Sequence, residues 1–371
     1  MTPDAVVAGA GIVGASCALE LAKAGLRVTV VEAKIPGGGA TAAGMGHIVV
    51  MDDSEAQFQL TRYSELLWNE LIPSLPDDVE HLPCGTLWVA ADEDEMEECR
   101  RKQARYAERG IRAELLDERQ LAEAEPNLRR GLAGGLVTPE DSVIYPPCAT
   151  RHFLEQAKSL GAKILTHRAV TAMGDGAVTL DDGTSISAGA VVNAAGAHSA
   201  SLTPGIDIRP RKGHLVITDR YPGFVRHQLV ELGYIKNAHS VTSDSVAFNV
   251  QPRPTGQVLI GSSRQLGTFD PAIEPPMINA MLRRAFEYIP VLAGLSVIRT
   301  WTGFRAATSD SLPLIGPCPG YNRVWLATGH EGLGITTSLA TAKVLAAQLA
   351  HQPCAIPVEP YLPQRAPVHH G

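Results

Sequence analysis

Cysteine is scarce and scattered in this chain. The six present (Cys17, Cys84, Cys99, Cys148, Cys318, Cys354) include no close pair, and no histidine stands at metal-ligand spacing from them. That excludes a disulfide scaffold or zinc framework and reads as a reduced, cytosolic set. Positive charge is not in excess either: Lys and Arg total 32 against 39 Asp and Glu, a formal charge of -7. The electrostatic case for nucleic acid or anionic membrane as a partner is therefore absent. No apolar run approaches the roughly 18 residues of a membrane span. No Lys or Arg precedes Lys23, and Gly9, Gly11 and Gly14 break the early apolar stretch, so no signal peptide is predicted. Internal repeats and low-complexity linkers are also missing. What remains is 371 residues, 45% hydrophobic and 19% charged, long enough for two packed cores. A cytoplasmic globular protein acting on small molecules is expected.

Residues 5–8 and 28–31 read as short strands, and 12–23 between them places Val13, Cys17 and Leu21 at helical spacing with Gly25 just past the end. Residues 54–70 read as a helix ended by Pro73 and Pro76, and 85–90 as a strand. Residues 92–109 read as a charged helix whose charge run is expected to be surface. A helix over 149–160, a strand over 163–166, a hairpin of 177–180 and 185–186 around Asp182-Gly183, and a strand over 190–194 suit a continuing α/β domain. From 206 to 263 short strands (213–218, 246–250, 258–260) predict an antiparallel sheet. A helix over 278–288, a strand over 295–303, an apolar run over 324–327 and a long apolar helix over 333–349 follow.

Gly9, Gly11 and Gly14 form G-x-G-x-x-G at the first strand-to-helix turn. The first glycine permits the tight turn, the second lets backbone approach a pyrophosphate, and the third lets helix pack on strand. Ile12, Val13 and Gly14 would offer free N–H groups at the positive end of the helix dipole. Glu32, followed by Ala33, ends the second strand where a carboxylate accepts hydrogen bonds from an adenosine ribose. Dinucleotide binding is predicted, with an ordinary solvated acid as the other reading of Glu32.

Further along stand Gly39-Ala40-Thr41-Ala42-Ala43-Gly44-Met45, Gly303-Phe304-Arg305 through Asp310-Ser311-Leu312-Pro313-Leu314-Ile315-Gly316, and Gly329-His330-Glu331-Gly332-Leu333-Gly334. Together with the first unit, and in the same order over nearly the whole chain, these resemble the FAD-dependent D-amino-acid oxidase family. The resemblance implies an α/β fold in which a Rossmann-type FAD-binding domain (1–75, 145–205, 310–371) interleaves with an antiparallel-sheet α+β substrate domain (76–144, 206–309). It also implies hydride transfer from the Cα of a small amino or imino acid to flavin N5. The Gly-Gly-Ala-Thr-Ala-Ala-Gly-Met-Gly-His run and the Ile-Val-Val-Met-Asp-Asp after it most resemble the flavin subunits of bacterial D-hydroxyproline dehydrogenases. Opine oxidase β-subunits and glycine or D-amino-acid oxidases producing H2O2 are the nearest alternatives, with a hydrogen cyanide synthase-like subunit further off. A non-catalytic dinucleotide-binding subunit and an NAD-dependent dehydrogenase are the rivals from other classes.

On that resemblance Thr41, Ala42, Ala43 and Gly44 pass beside flavin and pyrophosphate, and Met45 and Gly46 line the ring. Gly332, Leu333, Gly334 and Ile335 bring a helix start to the ring, where dipole and N–H groups stabilise anionic reduced flavin. Val170 offers its backbone to the adenine, with a core strand residue as the other reading, and Ala195 and Gly196 join the cofactor site. Arg305 grips the substrate carboxylate as a planar fork. The family's usual proline after it is Ala306 here. Arg264 fits either a second polar substrate group or a structural ion pair. His330 and His214 read as polar contacts or as hydrogen-bonded core histidines. Covalent relatives carry their flavin links where this chain has Thr41 and Arg305, so FAD is expected to be non-covalent. Thr268 stands where monomeric sarcosine oxidases place an oxygen-activating lysine, which favours a dehydrogenase whose electron acceptor is a quinone or a partner subunit.

Overall fold

The computed structural model describes residues 2–232 and 244–365. Met1, 233–243 of the expected substrate domain and 366–371 of the expected FAD-binding domain lie outside the described residues. The chain forms two compact units that alternate along it: Met1–Val79, Tyr145–Arg211 and Phe304–Gly371 make the first, Glu80–Ile144 and Lys212–Gly303 the second.

The first unit is built on a six-stranded sheet ordered Leu314–Pro317, Val324–Thr328, Ala190–Asn193, Ala5–Ala8, Val28–Glu32, Lys163–Thr166. Ala5 lies opposite both Val28 and Ala190 in parallel register. The neighbouring pairs are also parallel except Leu314–Pro317, which runs antiparallel along the edge. The central strands read as unbroken apolar runs because both faces are covered. The helix Ile12–Lys23 packs between Pro146–Ser159 and Gly334–Leu349, which explains why its sequence is apolar nearly all round. Glu55–Leu71 packs on Gly334–Leu349 and starts where the Ser54 hydroxyl accepts the Gln57 N–H at 3.1 Å. Val170–Gly174, of which the sequence suggests a strand residue only at Val170, adds a third strand to the expected hairpin.

The second unit carries the eight-stranded sheet, ordered Val297–Ala307, Arg209–Arg220, Gln257–Leu266, Ser245–Pro252, Gln228–Glu231, Thr86–Ala90, Gly134–Thr138, Glu114–Asp117. From Gln257–Leu266 to Glu114–Asp117 neighbouring strands pair antiparallel, except that Gln228–Glu231 pairs parallel with Thr86–Ala90. One face buries Leu87, Leu229, Phe248, Val250, Val258 and Ile260 against Met281, Ala285 and Tyr288 of the helix Pro275–Tyr288. The helix Glu93–Glu108 carries most of its charge run on the surface, as expected, but corrects that reading at two positions. Lys102 is fully buried, its Nζ 5.0 Å from the Trp88 ring centre and 4.5 Å from that of Tyr106, and Glu95 is buried with it. Aromatic faces stabilise a desolvated ammonium that charge counting places in solvent.

Among the described residues no helix is long and apolar enough to cross a membrane, no His/Cys/Asp/Glu group is arranged to hold a metal, and no cysteine is in a disulfide.

Candidate functional site

The first glycine-rich turn is fixed by contact. Gly9 has φ 103°, and a Cβ there would lie 2.4 Å from the Ala194 carbonyl oxygen; a Cβ on Gly14 would lie 2.0 Å from the Gly9 oxygen. At Gly11 a Cβ would meet only the Thr41 hydroxyl, at 3.3 Å. The helix that follows has Gly11 at its N-cap with no side-chain bond and no acid in its first turn. Thr41, buried, accepts the Ile12 N–H at 3.0 Å, which ties the 39–45 segment to this helix start. Glu32 reaches back to the same turn: its Oε2 accepts the Ala10 N–H at 2.8 Å and its Oε1 the Lys34 N–H at 2.9 Å, with Ala33 exposed between. The Arg168 N–H donates to the Glu32 backbone oxygen at 3.0 Å, so the strand that Val170 begins leaves from beside Glu32. Val170 itself is partly buried against the core cluster to which Val6 and Val31 belong. On the other side of the turn, Ala195 Cα would be 3.2 Å from a Gly9 Cβ, and the Gly196 carbonyl accepts from Thr328 at 3.2 Å.

The second glycine-rich turn meets the first. A Cβ on Gly334 would lie 3.8 Å from Val13 Cγ2, and one on Gly44 would lie 2.8 Å from Ile335 Cδ1. Thr336, one residue on, donates to the His47 carbonyl at 2.8 Å, while its own carbonyl accepts from Ser64 at 2.6 Å and Trp68 at 2.9 Å. The start of the first helix, the 41–47 segment and the start of the last helix are thus brought together within one unit. Met45 is half-buried, Gly46 has φ 96°, and Leu333 is half-buried beside exposed Gly332.

His330 is buried, its Nε2 2.9 Å from Thr341 Oγ1, and burial lowers its pKa to about 3. It is neutral at working pH, a hydrogen-bonded core histidine. His214 is likewise enclosed: its Nε2 accepts the Glu274 N–H at 3.2 Å, which leaves the proton on Nδ1, 2.9 Å from Ser263 Oγ. Arg264 is half-buried in the strand Gln257–Leu266 opposite Ser245, and the Thr268 hydroxyl just beyond accepts the Asp270 N–H at 3.0 Å.

Arg305 is half-buried near the end of Val297–Ala307, and Ala306 lies within that strand, so the missing proline leaves regular extended backbone. Beyond it, Asp310 and Arg365 form a two-bond fork, both contacts 2.7 Å. Burial pushes the Asp310 carboxyl up, but the Arg365 guanidinium outweighs it and holds it below the usual carboxylate range. Sequence reasoning missed Arg365, which has no local motif, and also the pair of Arg211 with Glu331, 3.0 Å apart. Glu331 could have been noticed as the acid inside the second turn.

These residues fit a dinucleotide. An acid-free helix start with glycine at its N-cap suits a pyrophosphate, Gly11 leaves its backbone approachable, and the Glu32 carboxylate lies at the same turn as an acceptor that suits a ribose hydroxyl.

Known proteins agree with that fit. The chain is 27% identical to the hydrogen cyanide synthase subunit HcnC of Pseudomonas aeruginosa over 98% of its own length and 96% of the relative's. It is 26% identical to the glycine oxidase of Bacillus licheniformis, over 94% of each chain. Among solved structures, L-proline dehydrogenase from P. horikoshii superimposes with a TM-score of 0.87 at 27% identity, over 98% of this chain and 97% of that one. Residues 4–348 match the DAO family model, described as FAD dependent oxidoreductase, and the chain belongs to that family of FAD-dependent enzymes.

Proposed function

We propose that the protein oxidises the C–N bond of a small amino or imino acid, with D-hydroxyproline the first substrate to try, and that it works as a dehydrogenase. The observation that carries this reading is the meeting of both glycine-rich turns with the 41–47 segment, a frame that suits one extended FAD. Relatives named glycine oxidase and L-proline dehydrogenase support an amino or imino acid as substrate.

Arg305 takes the substrate carboxylate, its planar fork fixing Cα by two parallel charge-assisted bonds. Met45 and Gly46 line the ring, Gly334 supplies backbone N–H, and His330 holds the turn in shape through Thr341. Bound FAD supplies the acceptor for the hydride leaving Cα, and the resulting imine hydrolyses in water. No general base is assigned, because a neutral amine releases hydride without one. Neither Thr41 nor Arg305 offers a linking atom, so the FAD is non-covalent. Thr268 brings no positive charge to assist superoxide formation, which favours a quinone or a partner iron–sulfur or flavin subunit as acceptor.

The test is an absorption spectrum with and without a panel of D-amino and imino acids. The purified protein should be yellow, release FAD on acid precipitation, and bleach with its substrate. A colourless protein, or one bleached by no member of the panel, overturns the reading. Arg305→Met should keep its flavin and lose on the order of a hundredfold in kcat/KM, about 3 kcal/mol; near-normal kcat/KM removes Arg305 from the carboxylate. Reoxidation of substrate-reduced protein should be slow in air and fast with an added dye, and equal rates would make it an oxidase.

A further inference from the structure

The second glycine-rich turn carries an acid to which the reading above gives no role. Glu331 sits between His330 and Gly332 with φ 47°, in the left-handed region that side chains other than glycine seldom adopt. Its carboxylate is held at both oxygens: Oε2 accepts the Gly332 N–H at 2.7 Å, and Oε1 accepts from Arg211 Nη1 at 3.0 Å. The Arg211 and Glu331 side chains are only 10% and 14% exposed, so water screens the pair poorly. A carboxylate fixed at the helix start opposes the dipole that the start of Gly334–Leu349 otherwise offers, and the guanidinium offsets it.

We propose that the Arg211–Glu331 ion pair sets the reduction potential of the bound FAD. The inference rests on the proposed placing of the flavin ring against the turn from Gly329 to Ile335. Reduced flavin is anionic at the end of the ring that this turn would meet, so a lone carboxylate there disfavours reduction and a lone guanidinium favours it. With both present the site is near neutral, and the potential depends on their balance. Arg211 and Glu331 are positioning residues in this scheme, since neither needs to touch the substrate. A pair with a merely structural role would tie the Arg209–Arg220 strand to the turn, and a neutral replacement would leave the potential where it was.

The FAD-loaded protein, with Glu331→Gln, Arg211→Met and the double variant, is equilibrated with a redox dye, and sulfite affinity for the flavin is measured in parallel. Glu331→Gln removes the charge and keeps the side chain's shape and one of its two accepting oxygens, with an amide nitrogen in place of the other. It should shift the equilibrium toward reduced flavin by about tenfold, about 30 mV for this two-electron couple, and tighten sulfite binding by a similar factor. Arg211→Met should shift both the other way, Arg211→Lys should restore most of the loss, and the double variant should return near the parent. Leu333→Lys, a charge placed on the same turn, is the reference for whether the ring lies there. If Leu333→Lys raises the potential while the single variants leave it unchanged or move it in one common direction, the pair has no such role and the placing of the ring stands. If none of the substitutions moves dye equilibrium or sulfite affinity, the ring does not lie against this turn, and the inference falls with that placing.

Discussion

The two glycine-rich turns of the first unit share a sequence character and differ in what demands their glycines. In the first, folding itself demands two: a Cβ on Gly9 or Gly14 would lie 2.4 or 2.0 Å from a backbone oxygen. In the second, only Gly329 is fixed so firmly, with φ 81° and a Cβ position 2.8 Å from Thr308 Cγ2. A Cβ on Gly332 would meet nothing within 4 Å, and its φ is not left-handed. The first turn is therefore a packing device that also leaves backbone open at Gly11. At Gly332 the protein's own packing does not demand the absence of a side chain, and the close approach of the flavin proposed above would.

The largest effect should come from Gly14→Val. The obstructing atom is a backbone oxygen, so the helix must move off the strand to admit the side chain. A loss of about 3 kcal/mol or more is expected, together with the FAD. Denaturant midpoints and flavin stoichiometry measure both. Gly332→Ala should separate the two properties instead. Its stability should stay within about 0.5 kcal/mol of the parent, while FAD binding weakens by about tenfold, roughly 1.4 kcal/mol. If Gly332→Ala destabilises the fold as Gly14→Val does, or leaves flavin affinity untouched, the contrast between the turns is false.

The parts of the fold legible in sequence are those whose signals are local. The strand Ala5–Ala8 and helix Ile12–Lys23 announce themselves through an apolar run, glycine punctuation and helical spacing. Ser54 marks the start of Glu55–Leu71 within a residue of the reading. Gly134–Thr138 was not legible, because two glycines open it and its partners, Thr86–Ala90 and Glu114–Asp117, are set by tertiary pairing. Nor was the burial of Lys102, which depends on two rings whose approach no periodicity records. At the candidate site the turns were legible as motifs. What joins them was not: the Thr41 bond to Ile12 and the Thr336 bond to His47 span 29 and 289 residues.

The turns differ last in what they do when the pH falls. The first has no histidine, whereas the second buries His330 with its Nε2 against Thr341. Burial takes that pKa from 6.5 down to about 3. The sign follows from which state binds the proton first. Between those two values the unfolded chain carries a proton on this imidazole and the folded protein does not, so acidification favours unfolding; above 6.5 neither state carries it and the effect vanishes. For this group alone the loss is about 0.8 kcal/mol at pH 6 and about 1.4 kcal/mol at pH 5.5, relative to pH 8. His214 and His81 also have lowered pKa values, chiefly through burial, and titrate in the same direction. The difference between the parent and His330→Gln removes their contribution. Denaturant unfolding of both proteins from pH 8 to pH 5.5 should show the parent losing stability more steeply, with the gap opening only below about pH 6.5. Parallel stability curves across that range would mean that His330 is reached by protons in the folded protein, and that the second turn is no more closed to solvent than the first.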